Sequence, residues 1–111
     1  MAEFAFLFRG GPPQGSPEHL QQQMQRWQAW MKELADAGRI KNRGMPLERS
    51  TGRQVRGGTV TDGPYAEKDI VAGFIVVEAD DYEHAARLAV GCPIHERGGL
   101  IEIREAMPLR P

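Results

Sequence analysis

The chain has 111 residues, which is enough for one domain but too few for two separate hydrophobic cores. Its formal net charge is -1, from 14 Lys and Arg against 15 Asp and Glu, so it lacks the strongly basic balance typical of nucleic-acid-binding domains. The single cysteine, Cys92, excludes an internal disulfide and a multi-cysteine metal site, and no apolar run reaches the length of a membrane span.

The first predicted element is a strand over residues 3–9. Its three phenylalanines alternate along one face, while Ala5 and Leu7 occupy the other face. Apolar residues on both faces are typical of a strand that is covered on both sides. A loop rich in glycine and proline follows at residues 10–15, and it has neither the lysine nor the spacing of a phosphate-binding loop.

The next predicted element is a long helix over residues 17–37. Ser16 is a suitable N-cap, Pro17 suits the first helical position, and Gly38 favours the left-handed conformation that ends helices. Apolar side chains recur at spacings of three and four and predict the buried face, which comprises Leu20, Met24, Trp27, Met31 and Leu34.

Residues 39–67 are predicted to form loops and short hairpins. Gly57-Gly58 predicts a two-residue hairpin turn, because residues 54–56 and 59–61 flank it with strand-like sequence. Five basic residues lie between Arg39 and Arg53. They form either a local basic patch or a solvated loop; the loop is favoured because no aromatic residues are interleaved for stacking on bases.

A central strand, a second helix and a last strand complete the predicted elements. The strand covers residues 70–78 and is apolar on both faces, and its Gly73 indicates a bulge or a close neighbour. Asp80, with Glu83 three residues later, is the predicted start of the helix. The helix ends near Gly91 and Pro93 and is followed by a strand over residues 100–105.

The element order predicts the fold class. A βαββαβ order is that of an α+β, ferredoxin-like domain, with an antiparallel sheet and two helices on one of its faces. We expect a single domain over residues 1–111. Two helices cover only one sheet face, so the apolar second face predicts a homodimer.

Segments along nearly the whole chain resemble a known protein family. Residues 61–67, Thr-Asp-Gly-Pro-Tyr-Ala-Glu, are similar to the DGPF signature of that family, with tyrosine in place of phenylalanine. The similarity continues at residues 27–31, 73–74, 79–80, 91–93 and 102–104. This resemblance implies a YCII-related (DGPF) domain of the dimeric α+β barrel superfamily, in which two sheets pack face to face.

The resemblance also bears on catalysis. Some members of this family are thought to use a histidine in the first helix and an aspartate just before the proline that follows the second helix. The matching positions here are Trp27 and Cys92. An indole N–H only donates hydrogen bonds, so Trp27 cannot act as a base. Whether the protein is an enzyme is therefore left open.

The remaining candidate site residues cluster around the signature. Asp62 and Tyr65 are the best catalytic candidates, with Arg9 or Arg104 as neighbours that could assist. The candidate ligand-binding residues are Asp62, Gly63, Pro64, Tyr65, Glu67 and His95. They would form the rim of a small-molecule cleft, although Asp-Gly-Pro is also a favourable turn sequence in its own right.

The histidines and the cysteine are weaker indications of a functional site. His19, His84 and His95 do not have metal-ligand spacing, so we expect no metal and no cofactor. Cys92 and His95 are three residues apart and could form a thiolate–imidazole pair. A lone cysteine beside a helix end is more often a small buried hydrophobic residue, and we favour that interpretation.

Three functions fit these observations. The favoured hypothesis is a protein that binds a small organic molecule in a cleft between sheet and helices and that could act on it as a small enzyme. The alternative is a non-catalytic interaction or regulatory module linked to sigma-factor-dependent transcription, which the family resemblance implies by association. A DNA-binding regulator is least favoured. The N-terminus lacks the basic region of a signal peptide, so we expect a cytoplasmic protein without nucleic-acid or membrane partners.

Overall fold

A computed structural model describes residues 1–62 and 70–109. Its strands are β1 (Ala2–Arg9), β2 (Ile40–Pro46), β3 (Arg53–Arg56), β4 (Thr59–Asp62), β5 (Val71–Ala79) and β6 (Leu100–Glu105). Its helices are α1 (Pro17–Asp36), α2 (Tyr82–Val90) and a short 3₁₀ helix (Pro93–Arg97). No helix in the described part of the chain is long and apolar enough to cross a membrane.

The main sheet has four strands in the order β2-β5-β1-β6, and every neighbouring pair is antiparallel. This order and the two helices confirm the predicted α+β, ferredoxin-like fold. β3 and β4 form a separate two-stranded hairpin in which Val55 pairs with Val60, as the Gly57-Gly58 turn predicts.

The core lies between one face of the sheet and the helices. Phe4, Phe6 and Phe8 of β1 are buried, as are Ile75 and Val77 of β5. The helices and the 3₁₀ segment contribute Trp30, Leu34, Ala85, Ala89 and Ile94. Small alanine side chains allow α2 to lie close to the strands, so the burial follows from the alternation and the helical spacing in the sequence.

Two glycines allow the close pairing of β2 and β5. Gly44 has φ +58°, and a Cβ atom there would overlap the carbonyl oxygen of Phe74. A Cβ on Gly73 would lie 2.8 Å from the carbonyl oxygen of Met45. The register between β1 and β5 shifts beside Gly73, between Phe8 and Arg9, so the predicted bulge or close neighbour is confirmed on both counts.

The sequence did not predict β2. The region was assigned to loops and hairpins, but residues Ile40–Pro46 form the edge strand of the main sheet. Most of the β2 side chains are exposed, and two register shifts interrupt its pairing with β5. An edge strand with this polar, interrupted pattern carries no alternation by which it could be recognised.

Two predicted details of the helices were wrong. Leu20 and Met24 are exposed, and Gln23 is buried in their place on α1. The side chain of Gln23 is held by the carbonyl of Gln14, so the first half of α1 turns a different face inward. The N-cap of α2 is Asp81 rather than Asp80, because the Asp81 carboxylate accepts the N–H of His84 at 2.8 Å.

The second face of the main sheet is not covered by the described residues. Ala5, Leu7, Phe74 and Val76 lie on this face and are only half-buried. The Arg9 guanidinium binds the Glu102 carboxylate at 2.8 Å beside them. The Cα positions extend only 19 Å in the thinnest direction, which fits one sheet with one helical layer. The homodimer that would cover this face stays a prediction.

Candidate functional site

The loop after β1 does not form a phosphate cradle, although it follows a strand and precedes a helix. Gly10 and Gly11 both have positive φ, and their carbonyl oxygens accept hydrogen bonds from Nη2 of Arg49 at 2.9 and 3.3 Å. A phosphate site requires backbone N–H groups that point at the ligand. Here two carbonyl groups instead hold an arginine, so the loop positions a cation.

Glycines allow this loop to approach the segment after the 3₁₀ helix. A Cβ on Gly11 would lie 2.9 Å from the Cα of Gly99. The N–H of Gly10 donates to the carbonyl of Ile70 at 3.2 Å, so the first described residue after the signature adjoins the same loop. Arg49 is thereby fixed at the end of the sheet where β1 leaves it and β5 enters it.

A second arginine lies in the same region. The guanidinium carbon of Arg97 is 5.4 Å from the centre of the Trp27 ring, a cation–π arrangement. Burial and the positive charge of Arg49 both lower the pKa of Arg97, whereas Cys92 raises it to a smaller extent. The positive charge of Arg49 thus disfavours the charged form of Arg97.

Aromatic side chains hold Trp27 in place. Its ring packs edge-to-face with Phe8 of β1, at 4.9 Å between centroids, and with Trp30 at 5.8 Å. Trp27 stays half-buried, whereas Trp30 is fully packed and donates its indole N–H to the carbonyl of Leu88 at 2.9 Å. Trp27 therefore presents a fixed ring to Arg97.

Gln23 lies one helical turn before Trp27, on the same side of α1. Only 6% of Gln23 is exposed, and its Nε2 donates to the carbonyl of Gln14 at 3.1 Å. Because a carbonyl can only accept, the atom that faces it must be nitrogen, and the unused atom is the oxygen Oε1. That oxygen is buried and has no hydrogen-bond partner.

We name these four residues, Gln23, Trp27, Arg49 and Arg97, the arginine–tryptophan cluster. Nη1 of Arg49 and Nε of Arg97 are also buried without an acceptor, and neither arginine forms an ion pair within residues 1–62 and 70–109. Nearly all buried polar groups in native proteins have a partner. The two cationic donors and the acceptor that no described residue pairs are therefore candidate contacts for a polar molecule.

Only a faint signal for this cluster is present in the sequence. Arg49 belongs to the run of basic residues that favours a solvated loop, and no motif in the sequence marks Arg97 as a site residue. Trp27 was interpreted as part of the stripe that faces the core. The residues come together because the loop after β1 binds Arg49 and because the 3₁₀ helix lies against α1, where Arg26 pairs with Glu96.

The structure describes only some of the predicted site residues. Asp62 ends β4, is largely exposed, and its carboxylate accepts from Nε of Arg53 directly across the hairpin at 2.9 Å. Arg9 and Arg104 both pair with Glu102, at 2.8 and 3.4 Å. Gly63, Pro64, Tyr65 and Glu67 lie outside the described residues. The role of the signature in ligand binding stays a prediction.

The side chains of Cys92 and His95 lie in different surroundings. Cys92 is 3% exposed, and burial raises the pKa of its thiol to about 12, so the thiolate is absent near neutral pH. The Nε2 atom of His95 lies 3.0 Å from the carbonyl oxygen of Ala89, so the ring is engaged by the end of α2. The interpretation of Cys92 as a small buried hydrophobic residue is confirmed.

Other parts of the described chain are weaker candidates for a binding site. A surface groove runs along the second half of α1, and its lining residues are Gln28, Met31, Lys32, Ala35, Asp36 and Arg43. Lys32 and Asp36 already pair with each other there at 2.6 Å. Within the described residues, no three His, Cys, Asp or Glu side chains are grouped so that they could hold a metal ion.

Comparisons with known proteins agree with this architecture. The chain is similar to the solved structure of 5-chloro-2-hydroxyhydroquinone dehydrochlorinase from Burkholderia phenoliruptrix, in complex with 2,5-dihydroxybenzoquinone. The two share 17% identity with a TM-score of 0.54, over 96% of this chain and 94% of the other. No curated protein matches the chain. The family model for the YCII-related domain matches residues 3–110, and the chain therefore belongs to the YCII-related domain family.

Proposed function

We propose that this protein binds a small organic molecule at the arginine–tryptophan cluster. The observation that carries the proposal is the set of unused polar atoms on buried or half-buried side chains, at the end of a rigid sheet. Sites for small molecules typically combine apolar walls with a few converging polar groups. The half-buried Trp27, which packs against the core residues Phe8 and Trp30, supplies the apolar surface here, and Arg49 and Arg97 supply the polar groups.

The chemistry available at the cluster is stabilisation of negative charge. Guanidinium groups in a water-poor site stabilise an oxyanion on a bound molecule but do not accept a proton at neutral pH. Trp27 cannot accept one either, and Cys92 stays protonated. An enzyme-like role at this site thus consists of polarising the bound molecule. Proton transfer would require a further group, for which Asp62 and Tyr65 of the signature are our candidates.

The comparison with the dehydrochlorinase supports a small-molecule role and supplies a probe. That protein was solved with 2,5-dihydroxybenzoquinone, a planar compound with acidic hydroxyl groups. Trp27 and Cys92 occupy the positions where the family resemblance implies a histidine and an aspartate. We therefore expect the present chain to bind such a compound without removing chloride from 5-chloro-2-hydroxyhydroquinone.

Calorimetric titration of the protein with 2,5-dihydroxybenzoquinone tests the proposal. We expect saturable binding and a higher melting temperature, because a ligand at 100 times its Kd stabilises the folded state by about 2.7 kcal/mol. Trp27→Ala removes the ring that supports Arg97 and should weaken binding about tenfold. Met24→Ala, at an exposed position on the same helix, is the control and should leave affinity unchanged. Equal affinities of the two variants would contradict the proposed location, and no saturable binding to the unaltered protein would contradict the binding role.

A further inference from the structure

We propose that the arginine–tryptophan cluster selects small carboxylic acids that also carry a hydroxyl group. This inference rests on the proposed function and names the class of molecule that the same site takes. It follows from the unused polar atoms in the cluster, which are two cationic N–H donors and one amide oxygen.

The two arginines require an acceptor that carries negative charge. Nη1 of Arg49 and Nε of Arg97 are both shielded from solvent, and no acceptor among the described residues reaches them. A carboxylate has two oxygens with about four lone-pair positions, so it can accept from two guanidinium groups at once. It would also offset the repulsion between the two positive charges, which a neutral ligand cannot do.

Both guanidinium groups are held before a ligand arrives. Two backbone carbonyls fix Nη2 of Arg49 and leave Nη1 unused. The Trp27 ring supports Arg97 from one side. A preorganised donor loses less conformational entropy on binding, so these arginines are better suited to a small anion than flexible surface arginines would be.

Gln23 requires a hydrogen-bond donor on the ligand, which the arginines do not require. No donor among residues 1–62 and 70–109 reaches its Oε1 atom, and the Gln23 side chain is more than nine-tenths buried. A carboxylate has no hydrogen to offer this oxygen, whereas a hydroxyl group on the same molecule does. Gln23 therefore distinguishes a hydroxylated acid from a plain one, because an unpaired buried acceptor penalises the ligand that fails to satisfy it.

Three probes separate these requirements in the unaltered protein. Benzamide is neutral, benzoate adds the negative charge, and 3-hydroxybenzoate adds a hydroxyl that is too far from its own carboxylate to bond to it. We expect benzoate to bind at least tenfold more tightly than benzamide, and 3-hydroxybenzoate several-fold more tightly than benzoate. The affinity for benzoate should also fall as the salt concentration rises.

Single variants assign each preference to a residue. Arg97→Gln should remove most of the tenfold preference for benzoate over benzamide, and Arg97→Lys should restore part of it. Arg87→Gln removes the same charge from an exposed position on α2 and should change nothing. Gln23→Met should remove the preference for 3-hydroxybenzoate over benzoate. Each variant is compared only if its melting curve shows a folded protein.

The probe series distinguishes failure of this inference from failure of the proposed function. If benzamide and benzoate bind equally, or if the acids fail while 2,5-dihydroxybenzoquinone binds, selection for carboxylic acids is wrong and the binding role stands. If all of these compounds fail to bind the unaltered protein, both proposals are wrong. The affinities of the probes for the unaltered protein are sufficient to test both proposals. An unstable variant therefore does not prevent the test.

Discussion

Cys92 illustrates at the scale of one residue how burial determines chemistry. Its spacing from His95 permits a nucleophilic pair, but the thiol is buried and its pKa is raised from 9.0 to about 12. Desolvation is the largest cause, and it outweighs a hydrogen bond from the backbone of Ile94 and the charge of Arg97, which both lower the pKa.

Alkylation and pH dependence both test this assignment. We expect iodoacetamide at pH 8 to modify Cys92 only after unfolding in urea, as read by mass spectrometry. Between about pH 9 and pH 12 the unfolded chain loses a thiol proton that the folded chain keeps, so the free energy of unfolding falls as pH rises. Relative to Cys92→Ala, the extra slope should be at most about 1.4 kcal/mol per pH unit. Rapid alkylation of the folded protein would contradict the buried thiol.

At the scale of elements, Gly44 is one of the two glycines on which the pairing of β2 with β5 depends. Gly44 combines a positive φ with close contact to the carbonyl oxygen of Phe74, and its N–H donates to Oδ1 of Asn42 at 2.7 Å. This local turn produces the register shift that lets the edge strand continue towards Met45. A side chain at residue 44 would push β2 away from the sheet.

Gly44→Ala should therefore destabilise the protein strongly. We expect a loss of more than about 3 kcal/mol in the free energy of unfolding, measured by urea denaturation, because both the backbone conformation and the space exclude a Cβ. Gly38→Ala is the matched control, since Gly38 also has a positive φ but no atom lies within 4 Å of its Cβ position. The control should cost only the conformational strain, about 1–2 kcal/mol. Similar losses in the two variants would show that the close contact with Phe74 is unimportant.

At the scale of the whole molecule, the described residues leave one apolar face of the main sheet uncovered. Leu7 and Phe74 are neighbours across β1 and β5 on this face, and Val76 continues the apolar surface. We propose that a second copy of the chain covers it, because an isologous pairing places the same apolar surface on both sides of the interface. The family resemblance implies the same arrangement.

Sedimentation equilibrium at micromolar concentration tests the homodimer. We expect twice the monomer mass of 12.4 kDa. Val76→Glu places a charge in the middle of the open face and should yield a folded monomer. Val90→Glu, at a 73% exposed position on α2, is the control and should stay dimeric. A single 12.4 kDa species for the unaltered protein would contradict the proposal.

The sequence by itself determined the elements whose signals are local. The phenylalanines of β1 alternate strictly, Ser16 and Pro17 start α1, and Gly57-Gly58 forms the hairpin turn, so these elements were predicted within one or two residues. Their conformations depend on neighbouring residues along the chain. The order of these elements was then sufficient to predict the α+β class and the antiparallel sheet.

Only the tertiary structure decided what depends on residues distant in sequence. β2 is a strand because β5 offers it an edge, and Gln23 rather than Met24 is buried because the carbonyl of Gln14 binds its side chain. The arginine–tryptophan cluster joins residues 23, 27, 49 and 97, which no spacing rule relates. The sequence predicts Trp27 as a core residue and Arg49 as a loop residue, because a pattern in the sequence reflects only local periodicity. Whether a polar atom is buried without a partner depends on how several loops pack around it.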